Sequence, residues 1–298
     1  MPFQNKISAV AILGGDDRQS TVAYVLASKG YSLHLWGLPN WRSEIGNDVT
    51  VYDDWQSCIC NADAVLLPIP ATLDGVRVNA PSMAEAQRPR LDLLFREIEG
   101  RVLLGGRLSE QFFAIAEVYG IECCDYFASE CLQLKNALST AEGAIFVAMK
   151  ELSVTLDGAE TAVIGYGRIG ELLAQKLYLL GAKVTVYARR EEVLTRARLS
   201  HLNAVMLNEA SLKNMNAETK VIFNTVPECI FTETILPFLP PTCLFVDLAS
   251  APGGIDRLAA EKARLKMIWA TALPGKYAPE TAGIHIAETI EAFFEKRT

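Results

Sequence analysis

The chain has 298 residues, half of them hydrophobic, which suits one large domain or two ordinary ones. Its 35 acidic and 28 basic side chains leave a net charge of −7, so nucleic acid and anionic membrane surfaces are not expected partners. No apolar run reaches the roughly 18 residues of a membrane span, and "MPFQNKISAVAILGG" lacks signal-peptide architecture, so a cytoplasmic protein is expected.

Strands and helices alternate along the chain, the pattern of parallel sheets. In the first half "ISAVAIL", "SLHLW", "DAVLLPI", "RVLLG" and "IECCDY" read as strands, with helices such as "RQSTVAYVLASKG" and "SEQFFAIAEVYG" between them. Residues 129–154 keep apolar positions at helical spacing and contain no proline, which predicts a long crossover helix. In the second half "TAVIG", "KVTVYA", "NAVML", "KVIFNTV", "CLFVDLA" and "KMIWA" read as strands of a full doubly wound domain. The fold expected is therefore α/β, with two doubly wound parallel-sheet domains. Residues 1–128 form a flavodoxin-like substrate domain, 129–154 the crossover helix and 155–278 a Rossmann NAD(P)-binding domain. Residues 279–298 form a last helix that packs back on the first domain, as in two-domain dehydrogenases. The proline-rich stretch 68–90 has little periodicity; it reads either as a cover over a substrate cleft or as mobile decoration.

The strongest chemical signal is Gly165-Tyr166-Gly167-Arg168-Ile169-Gly170, a G-x-G-x-x-G turn that follows a strand and opens an amphipathic helix. Gly165 permits the turn, Gly167 lets a pyrophosphate approach the backbone, and Gly170 lets the helix pack on the strand. The helix start offers amides and positive potential to phosphate. An NAD site of this kind ends its second strand on an acid that binds the ribose 2′-hydroxyl. Here that position is Ala188, followed by Arg189 and Arg190. Two guanidiniums beside a small residue suit a 2′-phosphate, so NADP is expected over NAD. The competing reading makes the arginines solvated residues that start the next helix. Thr225, Val226 and Pro227 after the fourth strand, and Ser250 after the fifth, are expected along the nicotinamide half, with Asn224 and Asp247 beside them.

Other candidates are less specific. "GGDDRQ" at 14–19 does not match the fingerprint; Asp16 reads as a helix cap, and Arg18 as a candidate for a substrate carboxylate. Lys276 is a second candidate for that carboxylate. Asn136 and Thr140 are four apart on the crossover helix and share a face, either toward the cleft or in interdomain hydrogen bonds. Asp16, Glu142 and His285 are the titratable options for a base. Seven cysteines and three histidines lack metal-ligand spacing, so no metal is expected.

The combination of "GGDDRQ" (14–19), "STAEGAI" (139–145), "VIGYGRIG" (163–170), "FNTVP" (223–227), "DLASAPGGID" (247–256) and "LPGKYAPETAG" (273–283) resembles the A subunits of dipicolinate synthases from spore-forming Bacillus and relatives, over essentially the whole chain. The second domain is also similar to those of D-2-hydroxyacid and alanine dehydrogenases. The resemblance implies oxidation of a dihydrodipicolinate-level intermediate, a small ring dicarboxylate, to dipicolinate. That reaction follows dihydrodipicolinate synthase in the lysine branch and serves sporulation. It also implies that the partner is a B subunit and that the location is the mother cell of a sporulating bacterium; a homo-oligomer is expected as well. The alternatives are an NAD(P)-dependent dehydrogenase of another small acid, or a nucleotide-binding scaffold subunit.

Overall fold

The computed structural model describes residues 6–41, 48–250 and 252–297. Contacts divide the chain into two compact units, Met1–Lys135 with Ala278–Thr298, and Asn136–Tyr277. The division falls inside the long helix read from the sequence.

The first unit holds strands β1 (Ala9–Leu13), β2 (Ser32–Trp36), β3 (Val49–Val51), β4 (Ala64–Leu66), β5 (Val102–Gly105) and β6 (Glu122–Asp125). Its helices are α1 (Asp17–Ser28), α2 (Trp55–Ile59), α3 (Leu91–Glu97), α4 (Glu110–Val118) and the start of α5 (Glu130–Glu151). All pairings are parallel, in the order β3-β2-β1-β4-β5-β6. The five strands read from the sequence run in the flavodoxin-like order. The missed strand, β3, extends that order to the one shared with dinucleotide-binding sheets. It escaped notice because it is three residues long at the sheet edge, with Val51 60% exposed. Such a strand carries no alternation to read.

Strand residues alternate between two cores, as period-two geometry requires. On β1, Ala11 and Leu13 join one cluster and Val10 and Ile12 the other. Burial on both faces explains why these strands are apolar nearly throughout. The last helix, α11 (Pro279–Glu295), adds Ile286, Ala287, Ile290 and Phe294 to the second cluster and lies along α1.

The stretch 68–90 is a built part of this unit. The Gly15 amide donates to the Asn79 carbonyl at 2.9 Å, Asn79 N donates to Ala71 O at 2.9 Å, and Val78 N donates to Pro89 O at 2.9 Å. A Cβ on Gly14 would stand 2.7 Å from Ala80 Cβ. The segment therefore fills the space beside the first glycine turn. Asp74 Oδ1 accepts from the amides of Val76 and Arg77, both at 2.8 Å, and fixes the turn at its tip.

The second unit repeats the plan with β7 (Glu160–Ile164), β8 (Lys183–Ala188), β9 (Asn203–Met206), β10 (Val221–Asn224), β11 (Leu244–Asp247) and β12 (Lys266–Trp269). Its order is β12-β11-β10-β7-β8-β9, all parallel. Around it lie the rest of α5, then α6 (Arg168–Leu179), α7 (Glu191–Leu199), α8 (Glu209–Lys213), α9 (Arg257–Lys262) and α10 (Leu273–Tyr277). Two doubly wound parallel sheets, the second Rossmann-like, are thus as the sequence led us to expect. The segment 273–277, read as a loop, is instead a short helix packed on α5 at Gly143, where a Cβ would stand 2.9 Å from Leu273 Cβ. Among the described residues no helix is long and apolar enough to cross a membrane.

Close approach of α11 to α1 depends on Gly283. A Cβ there would sit 2.6 Å from the Arg18 carbonyl oxygen, a backbone atom that cannot swing aside. Gly283→Ala is expected to lower the stability of the first unit by about 1–3 kcal/mol through overpacking, read as a lower urea midpoint; an unchanged midpoint would show that α11 re-docks without strain.

Candidate functional site

The second glycine turn joins β7 to α6. Gly165 has φ +91°, a left-handed conformation that a side chain would disfavour. Its amide donates to the Tyr187 carbonyl at 2.8 Å, tying the turn to the end of β8. A Cβ on Gly165 would collide with Thr225 Oγ1, and one on Gly170 with the Gly165 carbonyl oxygen. Gly167 differs. Its φ of −88° and ψ of −163° suit any residue, and nothing lies within 4 Å of a Cβ built there. Two of the three glycines are therefore required by the fold itself, and the third leaves open space beside the backbone. Gly167 is the N-cap of α6 and supplies no side-chain cap, so the first-turn amides keep their donor capacity. That edge suits an anion such as a pyrophosphate.

Behind the turn, polar contacts fix the ends of β10 and β11. Thr225 donates to the Ile164 carbonyl through both its amide and Oγ1, each at 2.9 Å. Asn224 and Asp247 are 0% and 2% exposed. Asn224 Nδ2 donates to Asp247 Oδ1 at 2.8 Å and to Val226 O at 3.0 Å. Asp247 also accepts from the amides of Ala249 at 3.1 Å and Gly254 at 2.9 Å. Asn224 and Asp247, read as neighbours of the ligand, are thus buried and engaged in holding this edge together. Val226 is half-buried, and Pro227 and Ser250 are exposed at the same edge. Ala251, within "ASAPGGID", lies outside the described residues.

At the end of β8, Ala188 is buried, while Arg189 and Arg190 are exposed. They behave differently. Arg190 is the backbone N-cap of α7 and its guanidinium reaches Glu192 at 3.3 Å in the open, which is the solvated reading for that residue. Arg189 borders a cavity of about 230 Å³ lined by Leu207, Asn208, Ile230, Thr232 and Ile235. Its Nη1 lies 2.7 Å from Glu228 Oε2. The hydrogen bond and the charge of Arg189 hold the Glu228 carboxyl below its ordinary range, and Glu228 raises the Arg189 guanidinium in turn. Sequence reading missed Glu228, although it directly follows "FNTVP". Arg196, also missed, donates to the Tyr166 carbonyl at 3.4 Å, its guanidinium 5.6 Å from the centre of the Tyr166 ring. Arg168 is exposed at the start of α6, and Ile169 packs toward the core.

The catalytic candidates are scattered. Asp16 and Arg18 meet each other: Nε donates to Oδ1 at 2.8 Å and Nη2 to Oδ2 at 2.7 Å, while Nη2 also donates to the Ile69 carbonyl at 2.7 Å. Arg18 is 7% exposed, and its charge is matched by Asp16. This pair holds the start of α1 to the 68–90 segment, which corrects the picture of Arg18 as a free anchor and Asp16 as a free base. Glu142 is paired with Lys176 at 2.9 Å. Thr140 Oγ1 donates to the Asn136 backbone carbonyl one turn back, at 2.8 Å, so the threonine hydroxyl is satisfied within α5. His285 sits beside the Lys135–Glu288 ion pair; burial, then the Lys135 charge, push its imidazole below the ordinary value, and its Nδ1 is buried with no partner among the described residues. Lys276 is exposed and forms no ion pair among the described residues. No group of His, Cys, Asp and Glu that could hold a metal ion occurs among them either.

A Rossmann-like sheet with an open glycine turn defines a dinucleotide-binding domain. Residues 132–249 match the D-isomer specific 2-hydroxyacid dehydrogenase NAD-binding domain, and the chain is an NAD(P)-dependent oxidoreductase. Residues 9–127 match the N-terminal domain of the dipicolinate synthase A subunit. The dipicolinate synthase A subunit of Bacillus subtilis (strain 168) is 30% identical over 281 residues, 94% of each chain. The crystal structure of the dipicolinate synthase A subunit from Bacillus halodurans superposes with a TM-score of 0.85 at 27% identity, covering 96% of this chain and 97% of that one. That of the Bacillus subtilis counterpart gives 0.84 at 28% identity, covering 98% and 97%. The chain belongs to the family of dipicolinate synthase A subunits.

The contrast among the three glycines gives a clean test. Gly167→Val is expected to weaken nucleotide binding at least about tenfold, since lost phosphate–amide bonds are charge-assisted, while the thermal midpoint stays within about 2 °C, within the shift of a small surface substitution. Retained binding would show that the open space at Gly167 is not where the phosphates lie.

Proposed function

We propose that this chain is the NADP-dependent A subunit of a dipicolinate synthase. Together with a B subunit, in the mother cell of a sporulating bacterium, it oxidises a dihydrodipicolinate-level dicarboxylate to dipicolinate. The observation that carries the cofactor reading is the pairing of an open glycine turn with Arg189 at the end of β8, where Ala188 stands in place of an acid. Family membership carries the substrate reading.

The residues present fit a dinucleotide. Gly165–Gly170 and the first amides of α6 would hold the pyrophosphate. The cavity beside Arg189 offers Leu207, Ile230 and Ile235 to the faces of an adenine ring and Asn208 and Thr232 to its edges. Arg189 would meet the 2′-phosphate, with Arg190 adding charge at longer range. Thr225, Val226, Pro227 and Ser250 would border the nicotinamide half. When bound, the nicotinamide supplies the hydride acceptor, and aromatisation of the substrate ring drives the reaction.

The protein's own part is to orient the dicarboxylate and to hold its charge. Lys276 is the candidate anchor, because it is exposed and forms no ion pair among the described residues. Arg18 enters as a neutral pair with Asp16 and shapes its surroundings rather than supplying net charge. Of the three titratable candidates, Asp16 and Glu142 already hold cations, and His285 alone has a nitrogen without a partner. Burial, then the Lys135 charge, favour its neutral imidazole.

Paired calorimetric titrations of wild type and Arg189→Ala with NADP and NAD test the cofactor reading. The variant is expected to lose about tenfold or more in NADP affinity, the worth of a charge-assisted bond, with NAD little changed. Equal losses for both nucleotides would sink it. Dipicolinate production from the same substrate mixture, with and without a B subunit, tests the reaction.

A further inference from the structure

The order of strands puts β7 between β8 and β10. Arg189 follows β8, and Glu228 follows β10 after the short stretch Thr225-Val226-Pro227. Their 2.7 Å ion pair therefore spans the sheet edge across the glycine turn that ends β7. Neighbouring strands lie about 4.8 Å apart, so a link from β8 to β10 covers about two strand spacings and needs two long side chains.

Both side chains are rooted. The Ala188 carbonyl accepts from Leu207 N at 2.8 Å, which fixes the backbone before Arg189. Glu228 stands between two anchors: Val226, whose amide donates to Asn224 Oδ1 at 3.2 Å, and Ile230, whose amide donates to the Gly254 carbonyl at 3.0 Å. The two heads are 52% and 60% exposed, so solvent and ligand reach them. An ion pair this exposed is weak and is readily exchanged for a better partner.

We infer that Glu228 is a specificity-determining residue of the ribose site: its carboxylate holds Arg189 where a 2′-phosphate would, and it stands in for the acid missing at position 188. The inference rests on the reading of the β8 end as the ribose site. A nucleotide with a free 2′-hydroxyl leaves the pair intact and meets a carboxylate that can accept from that hydroxyl. A 2′-phosphate must displace Glu228 from Arg189 and tolerate its charge nearby. Discrimination between the two nucleotides is thus set by a competition for one guanidinium, and the preference for NADP is narrower than Ala188-Arg189-Arg190 alone suggests.

The test is Glu228→Gln in the full chain, which keeps the side chain's size and removes its charge. Wild type, Glu228→Gln and the double variant Arg189→Ala/Glu228→Gln are titrated calorimetrically with NADP, NAD, adenosine 2′,5′-bisphosphate and adenosine 5′-monophosphate. Glu228→Gln is expected to raise the ratio of NADP to NAD affinity about fivefold, the scale of an exposed ion pair. The ratio for the two adenosine fragments should rise in parallel. In the double variant the gain should vanish. A rise that depends on Arg189 supports the inference whichever nucleotide the wild type prefers. An unchanged ratio in a wild type that prefers NADP overturns it and leaves the NADP reading standing. A rise that persists without Arg189 is a general charge effect and also overturns it. Binding of none of the four ligands by the wild type removes the ribose site, and this inference with it.

Discussion

The nucleotide edge depends on how closely β7, α6 and β10 approach one another. Thr225 Oγ1 lies where a side chain on Gly165 would go and within 3.3 Å of one on Gly170, and it bonds the Ile164 carbonyl. This contact sets the pitch of α6 against the sheet. It aims the first amides of the helix past Gly167 into open space. The buried Asn224–Asp247 knot stiffens the neighbouring strand ends. It satisfies groups that would otherwise be costly to bury, and it leaves β10 and β11 free to present Val226, Pro227 and Ser250.

Both sheets have the same strand order, yet the two glycine turns have opposite surroundings. In the first unit the 68–90 segment binds Gly15 through Asn79 and packs Ala80 against Gly14. The neutral Asp16–Arg18 pair completes that seal by holding the Ile69 carbonyl. In the second unit no described residue comes within 4 Å of a Cβ built on Gly167. The shared topology places a turn at the same point of each sheet, and the loops decide whether that point is filled or open.

Much of this was legible in the sequence because it rests on local signals. Apolar runs bounded by turns gave eleven of the strands; glycine spacing gave the turn at 165–170, and the absence of proline gave α5. What escaped depends on which strands become neighbours. Glu228 meets Arg189 only because β7 lies between β8 and β10, and no local pattern states that order. The Asp16–Arg18 pair is two residues apart, yet its commitment shows only when the Ile69 carbonyl arrives from the far side of β4. The 68–90 segment lacks periodicity because its bonds close turns and isolated bridges, largely within itself, rather than a regular helix or strand ladder. β3 is too short to carry a pattern.

The closed first turn has a consequence for where a phosphate can be received. A chain with two sheets of this strand order has two sheet edges at which a ligand could sit. Here the Asn79 carbonyl takes the Gly15 amide and Ala80 fills the space at Gly14, so of the two turns it is the second that is left open to a phosphate. The first turn is thereby closed by the chain's own backbone, and its shape is set without a ligand.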